Sequence, residues 1–150
     1  MATQVHAAAA GRRLRVLRAA ALVYGIGLLL HGLDHLRRGL DELTRHVFWA
    51  GNVSTVAGIV TVALVLTRHR WGPTAAAAIG LPTALGVAAV HLLPEWGALS
   101  DSLVDGGVDG WTYAAVAIEI AGAAALGLAG LAVLRAAGFA SPAPEATTAT

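Results

Sequence analysis

The sequence predicts an all-α integral membrane protein, a four-transmembrane-helix bundle with its N- and C-termini cytoplasmic. Three observations carry that reading: an apolar composition, four apolar stretches of spanning length, and the placement of arginine. The chain has 150 residues, 57% hydrophobic and only 13% charged, with a mean hydropathy of +0.69. A single domain this apolar would leave too much hydrocarbon in contact with water, so the lipid bilayer is its natural solvent and first partner.

Taken in order, residues 1–17 read as a basic cytoplasmic N-terminus. Residues 18–136 then read as the four-helix transmembrane domain, with spans at about 18–39, 47–67, 73–93 and 112–134, each near the roughly 20 residues that crossing a bilayer needs. Short polar linkers separate the first three spans, and one longer loop runs from Pro94 to Trp111. The Pro/Ala/Thr-rich end, residues 137–150, reads as a disordered cytoplasmic tail. The first span resembles a signal peptide in its basic start and its apolar stretch. It is followed by "HGLDHLRR" instead of a small-residue cleavage site, so it reads as a retained helix.

Orientation follows from the ten basic residues, all arginine. Arg12, Arg13, Arg15, Arg18, Arg68, Arg70 and Arg135 fall on one side. Arg37, Arg38 and Arg45 fall on the other, with Asp41, Glu42 and the acidic loop holding Glu95, Asp101, Asp105 and Asp109. The arginine-rich side is expected to be cytoplasmic, and arginine without lysine beside heavy Ala and Gly usage points to a high-GC bacterial source, so a bacterial inner membrane is the expected location. The scattered arginines form no continuous basic face, so nucleic acid is not an expected partner. Cysteine is absent, which removes disulfides, thiolate metal sites and thiol catalysis. Trp49, Trp71, Trp96 and Trp111 fall at predicted span ends, where the ring sits at the headgroup level. Small residues four apart, Ala50, Ser54 and Gly58 on span two and Gly80, Ala84 and Ala88 on span three, predict close helix packing. The acidic loop itself reads as solvated, since Gly106 and Gly107 interrupt any helix and no Ca²⁺-loop pattern is matched.

The informative stretch is "HGLDHLRRG" at residues 31–39. Only fifteen residues separate Arg18 from Asp34, too few for a span, so the helix must continue through His35 with Arg37 and Arg38 snorkelling outward. Tyr24, Gly27, His31, Asp34, His35 and Arg38 follow steps of three and four and share one helix face. That polar stripe should turn inward, because lipid satisfies none of it. His91 near the end of span three, Glu119 about 12 Å below Trp111 in span four, and Asn52 in span two fall at similar depth.

Convergence of ionisable groups inside a membrane points to function by default. His and carboxylate ligands suit zinc, iron or copper, and two histidines four apart on a helix face can hold one ion. The expected metal ligands are His31, His35, His91, Glu119 and Asp34, with Asn52, Tyr24 and Arg38 supporting them; Asp34 alternatively orients an imidazole from behind. Haem b is a second use of the same residues, with His31 or His35 opposite His91 as axial ligands, although two buried carboxylates suit it less. Electron transfer, redox chemistry or metal handling would follow. The alternatives without a cofactor are a proton- or ion-translocating subunit and a structural subunit of a membrane complex, in which Glu119 with His31, or Asp34 with Arg38, simply fixes register. A homodimer or larger complex would supply the internal volume that four narrow helices lack.

Overall fold

The first helix is longer than a bilayer is thick. In the computed structural model, which describes residues 2–104 and 106–138, α1 (Ala2–Arg38) has 37 residues, about 55 Å at about 1.5 Å per residue against a hydrocarbon core of about 30 Å. The basic segment anticipated as a separate N-terminus is therefore helical from Ala2 and continuous with the first span. A short 3-10 turn at Leu40–Glu42 leads to α2 (Arg45–Leu66), whose first turn is capped by Thr44, the side chain accepting from the Val47 N–H at 3.2 Å. α2 ends with Arg68 in the left-handed region at φ 59° and the His69 N–H on the Leu64 carbonyl at 2.9 Å, the bond that closes a Schellman turn. α3 (Gly72–Leu92) begins with Pro73 in its first turn and contains Pro82; α4 (Gly110–Gly138) completes the set. All four are long and apolar enough to cross a membrane. The first two residues of the expected tail, Ala137 and Gly138, belong to α4; residues 139–150 lie outside the described residues, as does Asp105.

α4 packs along both α1 and α3, while α2 completes the ring between α1 and α3 with less contact. Glycine permits the close approaches. A Cβ on Gly27 would meet the Glu119 Cα at 2.6 Å, one on Gly122 the Tyr24 Cα at 2.7 Å, and one on Gly80 the Gly127 N at 2.6 Å. In lipid there is little hydrophobic drive between helices, so backbone proximity and packing hold them together. The small-residue stripe on α3 is thus used at Gly80 and Ala84, both buried. On α2 only Gly58 is used that way, against Tyr24 and Leu28; Ala50 and Ser54 line a cavity instead. Large apolar side chains such as Leu22, Ile26, Val56, Ile59, Leu85 and Leu128 are exposed around the ring, and all four tryptophans are exposed near helix ends, as a lipid-facing surface with an interfacial belt requires.

The loop from Leu93 to Asp109 folds back over one end of the bundle. The Asp101 N–H bonds the Val90 carbonyl at 3.0 Å and the Leu103 N–H bonds the His91 carbonyl at 2.9 Å, so the loop satisfies carbonyls that the end of α3 leaves open. Leu103 is fully buried beneath it, and the Tyr113 hydroxyl donates to the Leu103 carbonyl at 2.7 Å. The sequence reading of this loop as solvated therefore does not hold at Asp101, which the fold carries inward.

Candidate metal centre

Three imidazoles meet under that loop. His31 and His35 project from successive turns of α1, and His91 from the last turn of α3. Their ring centroids lie 4.6 Å (His31–His35), 4.7 Å (His31–His91) and 5.7 Å (His35–His91) apart. One nitrogen from each lies within 4.8 Å of the other two. An ion that holds nitrogens at about 2.0–2.1 Å in tetrahedral geometry keeps them about 3.4 Å apart, so a cluster reaching up to 4.8 Å across would draw in on loading.

The partners behind the rings determine which nitrogens are free. His91 Nδ1 lies 2.9 Å from the Asp101 carbonyl oxygen. A carbonyl only accepts, so this nitrogen carries the proton and Nε2 carries the lone pair. His31 Nδ1 is hydrogen-bonded to Glu119 Oε2; with the carboxylate ionised the same argument places the lone pair on Nε2, which is buried with no hydrogen-bond partner. Buried nitrogen acceptors are normally satisfied, so this one needs an explanation. At His35, Arg38 Nη2 donates to Nδ1 at 3.1 Å, which puts the proton on Nε2. Ligation through His35 Nε2 would move that proton to Nδ1, which Arg38 would then have to release, with Asp101 Oδ2, 4.0 Å away, as the acceptor on that side. An imidazole backed by a carboxylate or carbonyl is the usual arrangement behind a metal ligand, fixing tautomer and ring orientation.

Gly27 explains why Glu119 reaches His31. It lies one turn before His31 on α1, and its missing side chain lets the α4 backbone pass at Glu119 itself. The spacing of Gly27 on the polar stripe was the only sign of this in the sequence.

Asp34, an expected ligand, sits elsewhere in the network. It is fully buried and accepts from Arg37 Nη2 at 2.8 Å, Arg38 Nε at 3.1 Å and the Thr112 hydroxyl at 3.1 Å. With its oxygens held by two guanidiniums and a hydroxyl, it organises the ceiling of the site. Arg38 spans from Asp34 to Asp101, the latter at 3.0 Å, and so braces the loop against α1. Arg37 reaches Asp109, which also caps α4 by accepting from the Thr112 N–H at 3.1 Å. Thr112, Asp101 and Asp109 are participants that sequence reading missed, because their role depends on where the loop folds. Burial opposes ionisation of Asp101, but the hydrogen bond and charge of Arg38, with His91 and His35 nearby, hold its carboxyl below the ordinary value. The Thr112 N–H and the Arg37 guanidinium do the same for Asp109.

The two remaining expected supports lie outside the triangle. Tyr24 is fully buried one level deeper, against Gly122, and its hydroxyl faces Gly58. Asn52 is exposed on α2 and donates to the Phe48 carbonyl at 2.7 Å, on the wall of the cavity that opens beside the histidines. No protein-family profile, curated protein or solved structure matches this chain, so the chemistry of the centre is read from its own residues.

Proposed function

We propose that this is a multi-pass bacterial inner-membrane protein that holds one transition-metal ion near the outer face, ligated by His31, His35 and His91, for a membrane-bound redox or electron-transfer step. The observation that carries the reading is the pair of Nε2 lone pairs on His31 and His91. His91 has its proton at Nδ1, on the Asp101 carbonyl; with Glu119 ionised, His31 has its own at Nδ1 as well, which leaves its buried Nε2 a lone pair without a partner. Three neutral imidazoles suit iron, zinc or copper(II). Three protein ligands leave a coordination position open, as in catalytic sites. Glu119 and Asp101 act from behind the ligands, and Asp34 holds Arg37 and Arg38.

A single ion is favoured over haem b by the ring contacts. Three rings with centroids 4.6–5.7 Å apart offer three ligands to one ion, whereas haem b would use only two of them as axial ligands. The alternative of a proton path has one observation in its favour: Tyr24, fully buried, lies one level below Glu119 and would extend the relay inward.

The test is elemental analysis and an absorption spectrum on gently purified protein beside its His91→Ala and Glu119→Gln variants. Near-stoichiometric metal is expected in the parent and none in His91→Ala, with affinity reduced about 10–100-fold in Glu119→Gln as for other partners behind a metal ligand. A parent that stays empty after reconstitution with iron, zinc and copper would sink the proposal. Proton flux into liposomes that Glu119→Gln abolishes would then favour the relay.

A further inference from the structure

The arginines at the two ends of the bundle are held differently. At the loop end, Arg37 pairs with Asp34 and Asp109, and Arg38 with Asp34 and Asp101. At the opposite end, Arg15 and Arg18 of α1 and Arg68 and Arg70 of the α2–α3 turn line one cavity of about 410 Å³. No carboxylate lines it, and neither residues 2–33 nor residues 43–94 contain an Asp or Glu. Among the described residues none of these four guanidiniums has an ion pair or a hydrogen bond; Arg70 has only the Trp71 ring, 5.4 Å from its centroid. Four cations around one cavity repel one another. An anion placed among them would reverse that term.

Two details of the turn add to the cationic lining. Arg68, at φ 59°, is the one non-glycine residue with positive φ among the described residues. A Cβ is crowded in that conformation, so the turn by itself favours glycine or asparagine. The chain places a guanidinium there against that preference. His69, also in the lining, accepts the Trp71 N–H at Nδ1, 3.3 Å away. Its proton is therefore on Nε2, which supplies a further donor.

Depth and the rest of the lining select the kind of anion. Arg18 precedes Arg38 by twenty residues, about 30 Å of helix, which is the thickness of the hydrocarbon core. With Arg38 at one headgroup layer, Arg18 lies at the other. Leu14, Pro73 and the buried Leu17 and Val65 line the same cavity. The lining thus joins hydrocarbon to guanidinium at the level where a phospholipid joins acyl chain to phosphate. A free phosphate would leave the apolar part of the cavity unused. The arginine bias that orients a membrane protein accounts for the number of cations at this end, but not for a cavity between them.

We propose that this cavity binds the phosphodiester head of an anionic phospholipid, drawn from the leaflet at the arginine-rich end. The phosphate sits between Arg15 and Arg18 on one side and Arg68 on the other, with the glycerol and upper acyl chain against Leu14 and Pro73. Basic pockets between helices at a membrane boundary are suited to such heads. The lipid would bridge α1 and the α2–α3 turn by charge, which no ion pair does among the described residues. The proposal is independent of the metal centre.

The experiment titrates the purified full chain in micelles with phosphatidylglycerol and counts bound lipids by native mass spectrometry. Two competitors separate the sources of the phosphate: phosphatidylcholine has the same diester without net charge, and glycerol 3-phosphate has a phosphate without tails. Arg15→Gln/Arg68→Gln removes one cation from each side of the cavity. Arg12→Gln/Arg13→Gln removes the same charge from exposed positions outside the lining. One saturable phosphatidylglycerol per chain is expected in the parent and in the Arg12/Arg13 variant, weakened about tenfold or more in the Arg15/Arg68 variant. Phosphatidylcholine should bind about tenfold more weakly, and glycerol 3-phosphate should not displace the lipid at equal concentration. Arg68→Gly should lower affinity about fivefold while thermal stability is kept or raised, because glycine suits the left-handed turn. Equal weakening by the two double variants would assign the effect to diffuse charge and overturn the proposal. So would unsaturable binding, equal retention of phosphatidylcholine, or displacement by glycerol 3-phosphate, which would leave a site for free phosphate. The competition on the parent and the Arg68→Gly variant decide the matter even if the Arg15/Arg68 variant fails to fold.

Discussion

The seams of α4 with α1 and α3 and the face of α2 use the same small residues to opposite ends. Along α4, glycines meet backbone: Gly27 at Glu119, Gly122 at Tyr24, Gly80 at Gly127 and Gly130 at Pro73. α4 accordingly buries ten residues, whereas α2 buries only Val47, Gly58, Thr61 and Val65. Beside α2, the glycines at 32, 51 and 86 meet open space and help to outline a cavity. The rigid seam sets the level of Glu119 relative to His31; the looser side leaves room beside the imidazoles. A small residue in a membrane helix therefore marks either an approach or a vacancy, and only its neighbours distinguish them.

The largest expected effect is on the seam. Gly122→Leu forces a side chain into the Tyr24 backbone and should cost about 3 kcal/mol or more, or prevent assembly, read as loss of cooperative unfolding in micelles. Gly27→Val should act similarly and, in any folded fraction, separate Glu119 from His31 and lower metal retention. An unchanged melting profile for both would erase the contrast between the two sides.

Asp34→Ala comes next. It removes a fully buried carboxylate from between two guanidiniums. Arg37 keeps Asp109 and Arg38 keeps Asp101, so the cost should be about 2–3 kcal/mol, the value of charged hydrogen bonds rather than that of an abandoned buried ion. If Asp34 were instead a ligand, the variant would lose metal while keeping its stability.

Asp101 sharpens the comparison through pH. Its folded-state carboxyl titrates below the ordinary value of 3.8, so its contribution to holding the loop is fully present above that value and is lost as pH falls through the lower one. Hydrogen exchange at Leu103, whose N–H bonds the His91 carbonyl, should stay slow down to about pH 4 and accelerate below it. Asp101→Asn should abolish that pH dependence and weaken the loop by about 1–2 kcal/mol. An identical pH profile in the variant would assign the loop's closure to its apolar contacts alone.

The smallest effect belongs to the cavity. Gly51→Leu by itself meets nothing and should shift stability by no more than about 0.5 kcal/mol. A loss comparable with that of Gly122→Leu would mean that α2 packs as tightly as α4 and that the cavity closes in the membrane.

By itself the sequence determined the solvent and the architecture. Four apolar runs of spanning length, broken by short polar linkers and edged by Trp49, Trp71, Trp96 and Trp111, admit few folds, because a backbone in lipid must satisfy its own hydrogen bonds. The polar face of α1 was equally legible from its steps of three and four, since helix periodicity is local. What each polar group does was decided by tertiary structure. Asp34 and His31 sit one turn apart on the same face, yet one is taken up by Arg37, Arg38 and Thr112 and the other by Glu119. That division depends on the close pass at Gly27 and on a loop that returns Asp101 to His91 and Arg38. Both are contacts between residues far apart in the chain, whose partners no local spacing specifies.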